Sequence, residues 1–278
     1  MTTGTVSIVV RVRNEAQFLR ELLGILAVQE MEPAEIIVVD NASSDSSRQV
    51  ALEYGARVID ISKDEFSYGR ALNRGIQQTT GEFICILSAH TVPLGTDFLQ
   101  KSILPFSDPQ VGAVRCLSLR NPQEIVRWYQ PRTLQWPVDL DTVIAEGPIN
   151  CAAVIRRCVW EKIPYDEMLR AVEDKFWAFE VLKGGYRIAK SAAPYLYTKE
   201  RSLSDQLRTM NGDRLAYFRI TGRQFQQPPI SLRKLLFTLV YSIPRRALKT
   251  AVFEMVLYFR LKTIPLQARA KAKTGSVR

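Results

Sequence analysis

The sequence predicts an α/β chain, with a mainly parallel central sheet flanked by helices and a helical C-terminal extension. Three observations carry this. Four β-rich runs alternate with helical patterns up to residue 87. These runs are apolar almost throughout, as strands covered on both faces are. The net charge of +10 is confined to the last 50 residues, which separates a neutral body from a cationic extension.

Val6–Val12 (VSIVVRV) is the first expected strand. Asn14 then stands where a helix cap is wanted, before Phe18, Leu22, Ile25 and Leu26 at helical spacing. Glu35–Asp40 (EIIVVD) is the second strand, and residues 43–54 form a helix ended by Gly55. Strands at 57–61 and 82–87 enclose a helix at 68–78, and 111–117 adds a further strand. Residues 120–148, with four prolines and two tryptophans, break the rhythm as a long ordered insertion. A strand resumes at 149–155, and a helix at 173–182 is closed by Gly184 and Gly185.

With 278 residues, 46% of them apolar and 24% charged, the chain can bury a sizeable core and is no disordered tail. Its four cysteines form no CxxC pair and a chain this long needs no staples, which argues against a secreted disulfide scaffold and fits buried thiols in a reducing cytosol. Residues 1–12 lack the basic and apolar regions of a signal peptide, and no run of 18 apolar residues is present. The expected location is cytoplasmic.

Of 38 basic and 28 acidic residues, 11 basic and one acidic (Glu254) lie in 229–278, leaving 27 of each in 1–228. That divides the chain into an α/β domain, 1–228, and a basic amphipathic extension, 229–278. In the extension Leu232, Leu235, Leu236, Leu239, Val240 and Ile243 make one helical stripe, and Leu248, Val252, Met255, Val256 and Phe259 a second. Apolar stripes with basic flanks suit the inner face of an anionic membrane, and equally suit helices packed on the domain with a solvated basic edge. Nucleic acid is not the expected partner, because the basic residues alternate with aliphatic side chains.

Doubly wound sheets bind ligands at the carboxyl ends of their strands. After the first strand comes Arg11-Val12-Arg13-Asn14-Glu15, with neither GxGxxG nor GxxxxGK[ST], so a dinucleotide-binding domain and a P-loop ATPase lose their main signal. After the second comes Asp40-Asn41-Ala42-Ser43-Ser44-Asp45. A carboxylate such as Asp40 at a strand tip can accept from a ribose or base, while Asp45 is read as a helix cap.

Ser7-Ile8-Val9-Val10, Arg13-Asn14-Glu15 and the run from Ile37 to Asp45 resemble the donor half of family 2 glycosyltransferases of the GT-A fold. Tyr68-Gly69-Arg70-Ala71-Leu72-Asn73-Arg74-Gly75-Ile76 and Gly81-Glu82-Phe83-Ile84 continue the resemblance in order. Asn150 to Arg157, Val159-Trp160, Glu173-Asp174, Trp177-Ala178 and Gly185 to Ile188 resemble the acceptor side of bacterial rhamnosyltransferase-like members. The resemblance covers about residues 5–205. It implies inverting transfer of a sugar from a nucleoside diphosphate donor (UDP- or dTDP-sugar) to a hydroxyl of a glycan or glycolipid, in cell-surface polysaccharide or glycolipid synthesis. It places Asp40 on the nucleoside and Arg11, Arg13, Asn14, Glu15 and Asn73 about it. Asp174 becomes the catalytic base, which a sugar hydroxyl needs because its pKa is far above 7. Asn150, Glu173 and Trp177 fall to the sugar sites.

The family usually carries Asp-x-Asp after the fourth strand, where it helps hold Mn²⁺ or Mg²⁺ against the diphosphate. This chain has Ser88-Ala89-His90, which leaves His90, its one histidine, as the expected ligand. Many relatives also have a histidine near 197–200, where this chain reads Tyr197-Thr198-Lys199-Glu200. Lys199, Arg201 or an arginine near Arg11 can neutralise a diphosphate instead. Ser88 also motivates a reading of another class, a degenerate glycosyltransferase fold acting as a binding or scaffold subunit. A sugar nucleotidylyltransferase would share the sheet, but its glycine-rich basic phosphate loop is missing after the first strand.

Overall fold

The computed structural model describes residues 4–119, 133–169 and 171–199. The two stripes of the extension, Arg201 and residues 120–132 of the proline-rich insertion lie outside them.

The described residues form eight strands in one sheet: β1 (Val6–Val12), β2 (Glu35–Asp40), β3 (Arg57–Asp60), β4 (Phe83–Ser88), β5 (Thr91–Pro93), β6 (Val111–Ser118), β7 (Ala152–Arg156) and β8 (Arg187–Tyr197). Their order is β3-β2-β1-β4-β7-β6-β8-β5. The helices are α1 (Ala16–Leu26), α2 (Ser47–Glu53), α3 (Tyr68–Gln77), α4 (Phe98–Ile103), α5 (Leu140–Glu146), α6 (Arg157–Lys162) and α7 (Glu173–Lys183).

The expected parallel half is present. β1 pairs in parallel with β2 and β4, and β2 with β3. Beyond β4 the direction changes, because β7 runs antiparallel to both β4 and β6. Apolar content cannot report direction, so the run near 149–155 gave no sign of this. The reversal sets the site. Ala152 at the start of β7 lies opposite Leu87 near the end of β4. β6 and β8 run parallel to each other, which brings the end of β8 to that same edge.

Alternation along the strands feeds two cores. Ile8, Val10 and Val12 pack with Leu19, Leu22, Leu23 and Leu26 of α1 on one face. Val9, Ile37 and Val39 pack with Leu72 and Ile76 of α3 and with Trp177, Val181 and Leu182 of α7 on the other. Gly75 permits the approach of α3, since a Cβ there would stand 2.7 Å from Val9 Cγ1 and 2.8 Å from Val39 Cγ2.

Two boundaries depart from expectation. Asn14 does not cap α1; Glu15 holds that position, with no side-chain cap. The helix is capped from elsewhere, as Ala16 N donates to Asp45 Oδ2 (3.0 Å) and Glu15 N to Ser47 Oγ (3.1 Å). Correspondingly α2 begins at Ser47 rather than 43, because residues 43–45 are occupied in this latch. The cap residue of α2 is Ser46, not Asp45 as expected; Asp45, one residue earlier, serves both helix starts, its Oδ1 accepting from Ser47 N at 3.0 Å.

Candidate functional site

The carboxyl ends of β1 and β2 are tied together by short polar side chains. Asn14 Oδ1 accepts from Ser44 N (2.7 Å), and Asn14 N donates to Ser43 Oγ (3.0 Å). Asp40 is buried, and its Oδ1 accepts from Ser43 N at 3.1 Å and from Ser43 Oγ. Asp40 therefore turns the chain and sits at the strand tip together. Arg13 and Asn14 are exposed on the rim.

Backbone strain gathers here. Asn14 (φ 51°), Ala42 (φ 47°) and Val172 (φ 54°) are the described non-glycine residues at positive φ. Such a conformation costs of order 1 kcal/mol and is least natural for a β-branched valine. Asn14 and Ala42 follow β1 and β2, and Val172 immediately precedes Glu173-Asp174.

Opposite the latch lies a charged, buried cluster. Glu173 and Asp174 start α7. Asn150 Nδ2 donates to Glu173 Oε1 (3.3 Å), and Asn150 N to Asp174 Oδ2 (3.3 Å). Arg11 Nη2 donates to Asn150 O (3.4 Å), and its Nη1 lies 3.9 Å from Glu173 Oε1. The Arg11 guanidinium also packs over the exposed Tyr68 ring, 4.8 Å from its centroid. Tyr165 O–H donates to Asn150 Oδ1 (3.1 Å). Lys175 is buried and donates to Gly147 O (2.9 Å) and Pro148 O (2.8 Å), anchoring the approach to Asn150.

Burial, and next the Asp174 carboxylate, push the Glu173 carboxyl up to about 7; Arg11 and Asn150 pull the other way. Burial and the two carboxylates likewise hold the Tyr165 phenol well above its usual range, so it remains a donor. Asp174 is half-buried, with Oδ1 accepting from Lys175 N at 2.8 Å. A carboxylate beside a strained turn, reachable from solvent and backed by a neighbour that resists ionisation, can accept a proton from a bound hydroxyl.

Two residues expected at the site serve the core instead. Asn73 Nδ2 donates to Tyr165 O (2.9 Å) and Glu167 Oε1 (3.1 Å), and its Oδ1 accepts from Trp160 Nε1 (3.0 Å) and Tyr165 N (3.1 Å). That uses both donors and both lone pairs, leaving nothing for a nucleotide. Its role is to hold the 165–167 loop on α3. Trp177 is 2% exposed, stacks on Tyr165 at 5.1 Å and donates Nε1–H to Ile163 O (2.6 Å), so its ring is closed to a sugar. Arg156 and Arg157 are likewise engaged within the fold. Arg156 donates to Val111 O and Phe106 O and pairs with Glu82, while Arg157 donates to Gly81 O and Thr79 Oγ1.

His90 sits in a third cluster, at the end of β4. Its Nε2 is 3.0 Å from Ser88 Oγ and 2.7 Å from Tyr197 O–H, and its Nδ1 is 3.2 Å from Glu15 Oε2. Lys199 Nζ donates to Glu15 Oε1. Burial raises the Glu15 carboxyl, but the bonds from His90 and Lys199 outweigh it and lower the carboxyl below its usual range. A metal bound at His90 Nε2 would displace Ser88 and Tyr197, and one bound at Nδ1 would find Glu15, a single carboxylate already paired with an ammonium. Hard divalent cations prefer several oxyanions, so this donor set does not fit Mn²⁺ or Mg²⁺. Among the described residues no three His, Cys, Asp or Glu side chains converge as a metal site.

Sequence reasoning missed Tyr165, Tyr68 and Lys175. Lys175 had a signal, being a cation in the first turn of a helix that opens with two acids. No spacing marks Tyr165, since its contacts to Asn73, Asn150 and Trp177 come from three separate parts of the chain.

Residues 7–165, more than half of the chain, match the model of "Glycosyl transferase family 2". An uncharacterized glycosyltransferase of Rickettsia typhi is 37% identical over 83 residues, 30% of this chain and 26% of that protein. The O-antigen chain rhamnosyltransferase WbaN of Salmonella anatum is 25% identical over 179 residues, 59% of this chain and 56% of WbaN. The chain thus spans only a quarter to little more than half of these relatives. Among solved structures, a mannosyltransferase of Pyrobaculum calidifontis in complex with GDP-Man and Mn²⁺ superposes with a TM-score of 0.62 at 20% identity. The match covers 99% of this chain and 80% of that one.

Proposed function

We propose, from the premise that this chain belongs to glycosyl transferase family 2 and carries the GT-A fold, that it transfers a sugar with inversion from a UDP- or dTDP-sugar to a hydroxyl of a glycan or glycolipid. The product class is a cell-surface polysaccharide or glycolipid, in keeping with the O-antigen relative. The observation that carries the reading is the meeting of Asp174 and Glu173 with Asn150 and Arg11, which joins the acceptor-side segment to the tip of β1.

Asp174 takes the acceptor proton as the acceptor oxygen bonds to the anomeric carbon. The bond from that carbon to the diphosphate oxygen breaks, and the diphosphate leaves with the electron pair. Attack from the face opposite the leaving group inverts the centre. Asn150 and Arg11 orient the two carboxyl groups, Asp40 binds the nucleoside, and the exposed Arg13 and Asn14 border its pocket. The expectation that a divalent metal assists departure finds support in the Mn²⁺ of the Pyrobaculum enzyme and none in the donor set around His90.

A thermal-shift screen of nucleoside diphosphates and their sugars tests donor binding, since a ligand bound only by the folded state raises its stability. UDP or dTDP derivatives are expected to raise the midpoint, and the anomeric configuration of the product, read by NMR, to be opposite to the donor's. Donor binding without transfer to any glycan acceptor favours the scaffold reading, which Ser88 motivates. We assign 1–228 to catalysis and the basic extension 229–278 to an anionic membrane surface, where each basic residue contributes about 1 kcal/mol. Truncation after Gln227 should abolish salt-sensitive binding to anionic liposomes.

A further inference from the structure

We infer that this chain holds the departing diphosphate with the Lys199 ammonium, fixed beside His90, and not with a divalent metal ion. The inference rests on the proposed transferase reading and concerns its leaving-group side.

The argument begins with what surrounds His90. Ser88 Oγ and Tyr197 O–H both reach His90 Nε2, at 3.0 and 2.7 Å, and none of these three side chains is a carboxylate. Glu15 is the cluster's carboxylate, and its two oxygens face His90 Nδ1 and Lys199 Nζ. A divalent ion placed here would meet an ammonium across the same carboxylate.

Lys199 is held as part of the fold. Thr198 N (3.1 Å) and Thr198 Oγ1 (3.0 Å) both donate to His90 O, so the residue before Lys199 is pinned to the end of β4. The pairing of β5 with β8 sets this register, with Thr91 opposite Tyr197. The Lys199 side chain is 45% exposed, and Glu15 is its one described partner. An ammonium has three donors, so donors remain for phosphate oxygens. Glu15 also lies in the segment after β1 that borders the nucleoside pocket. A single chain segment thus joins the proposed nucleotide site to the cation.

The test uses the full chain and two probes, UDP and dTDP, with calorimetry in EDTA and in Mn²⁺. Expected is one diphosphate that binds within about twofold equally in both buffers. Lys199→Gln should weaken it by about tenfold to a hundredfold in EDTA, the range of a charge-assisted bond, and Lys199→Arg should largely restore it. The exposed side chain makes these variants easy to fold, and an unchanged thermal midpoint confirms that they do. In parallel, the electron paramagnetic resonance signal of free Mn²⁺ should not fall when the chain alone is added. Diphosphate binding that appears only with Mn²⁺, a Mn²⁺ signal lost to the chain and recovered with His90→Ala, or wild-type affinity in Lys199→Gln each overturns the inference while leaving the transferase reading intact. Failure of both diphosphates in both buffers overturns the transferase reading and the inference together.

Discussion

The two sides of the site are built from different materials. The rim formed by the tips of β1 and β2 is made of short polar side chains and backbone amides. Asn14, Ser43, Ser44, Asp45 and Ser47 bond one another across 30 residues of sequence, and Asp40 is the one buried carboxylate among them. The wall at α7 packs two acids, an arginine and a lysine into a largely buried volume. The first side is a hydrogen-bonded frame that gives a loop its shape. The second stores electrostatic free energy, because buried charges interact through a low dielectric and respond strongly to each other's protonation. A frame of the first kind suits recognition of a nucleoside, and a wall of the second kind suits proton transfer.

The sharpest way to break this contrast is at Asp174. Asp174→Asn keeps the shape and removes the basicity, so transfer should fall by roughly 10²–10⁴-fold with donor affinity unchanged. Near-wild-type turnover in a steady-state assay would move the base elsewhere. The next effect is on stability. Asn73→Ala strands Trp160 Nε1, Tyr165 N and Tyr165 O without partners, and should cost about 2–4 kcal/mol in denaturant melts. Nucleotide affinity of the folded variant should be unchanged, since Asn73 has no free hydrogen-bonding capacity. Asp40→Ala should weaken UDP or dTDP binding by about 0.5–3 kcal/mol in calorimetry. An unaltered affinity would leave Asp40 with the turn at Ser43 as its whole role.

The smallest effect tests the stored charge. Glu173 titrates near 7 in the folded chain against an ordinary value of 4.5. Between those values the folded state keeps a proton that the unfolded chain has released, so stability should decline as pH rises across this window and level off above it. Glu173→Gln should flatten that decline, and thermal midpoints from about pH 5 to pH 8 would show it.

Much of the frame was legible and much of the wall was not. The strands of the parallel half are continuous apolar runs, so their existence and order follow from composition alone. Residues 43–45 were misread as helix because helical propensity is local, while the groups that claim them, Asn14 and the start of α1, lie 30 residues away. The motif quality of Asn73 was real, but its purpose was hidden. An asparagine bonded to saturation and an asparagine reserved for a ligand are the same letter. Asp174 and Glu173 were visible as adjacent acids at a helix start. Their electrostatics depend on Arg11, Asn150 and Tyr165, which come from three separate parts of the chain. The reversal at β7 was the least legible feature, as an apolar strand carries no arrow.

That reversal has a consequence for how the site comes into being. β1, β2, β3 and β4 find one another across short helical crossovers and are complete once residue 88 has been made. β4 then presents an open edge until β7 arrives, and Leu87 must wait for Ala152. Such long-range pairing forms slowly, and an uncovered apolar strand is prone to pair with another copy in the meantime. On a ribosome, the nucleoside-facing frame can therefore be in place well before the proton-accepting wall. The interval between them is when a nascent chain, or one cut within the proline-rich insertion, is most exposed to aggregation.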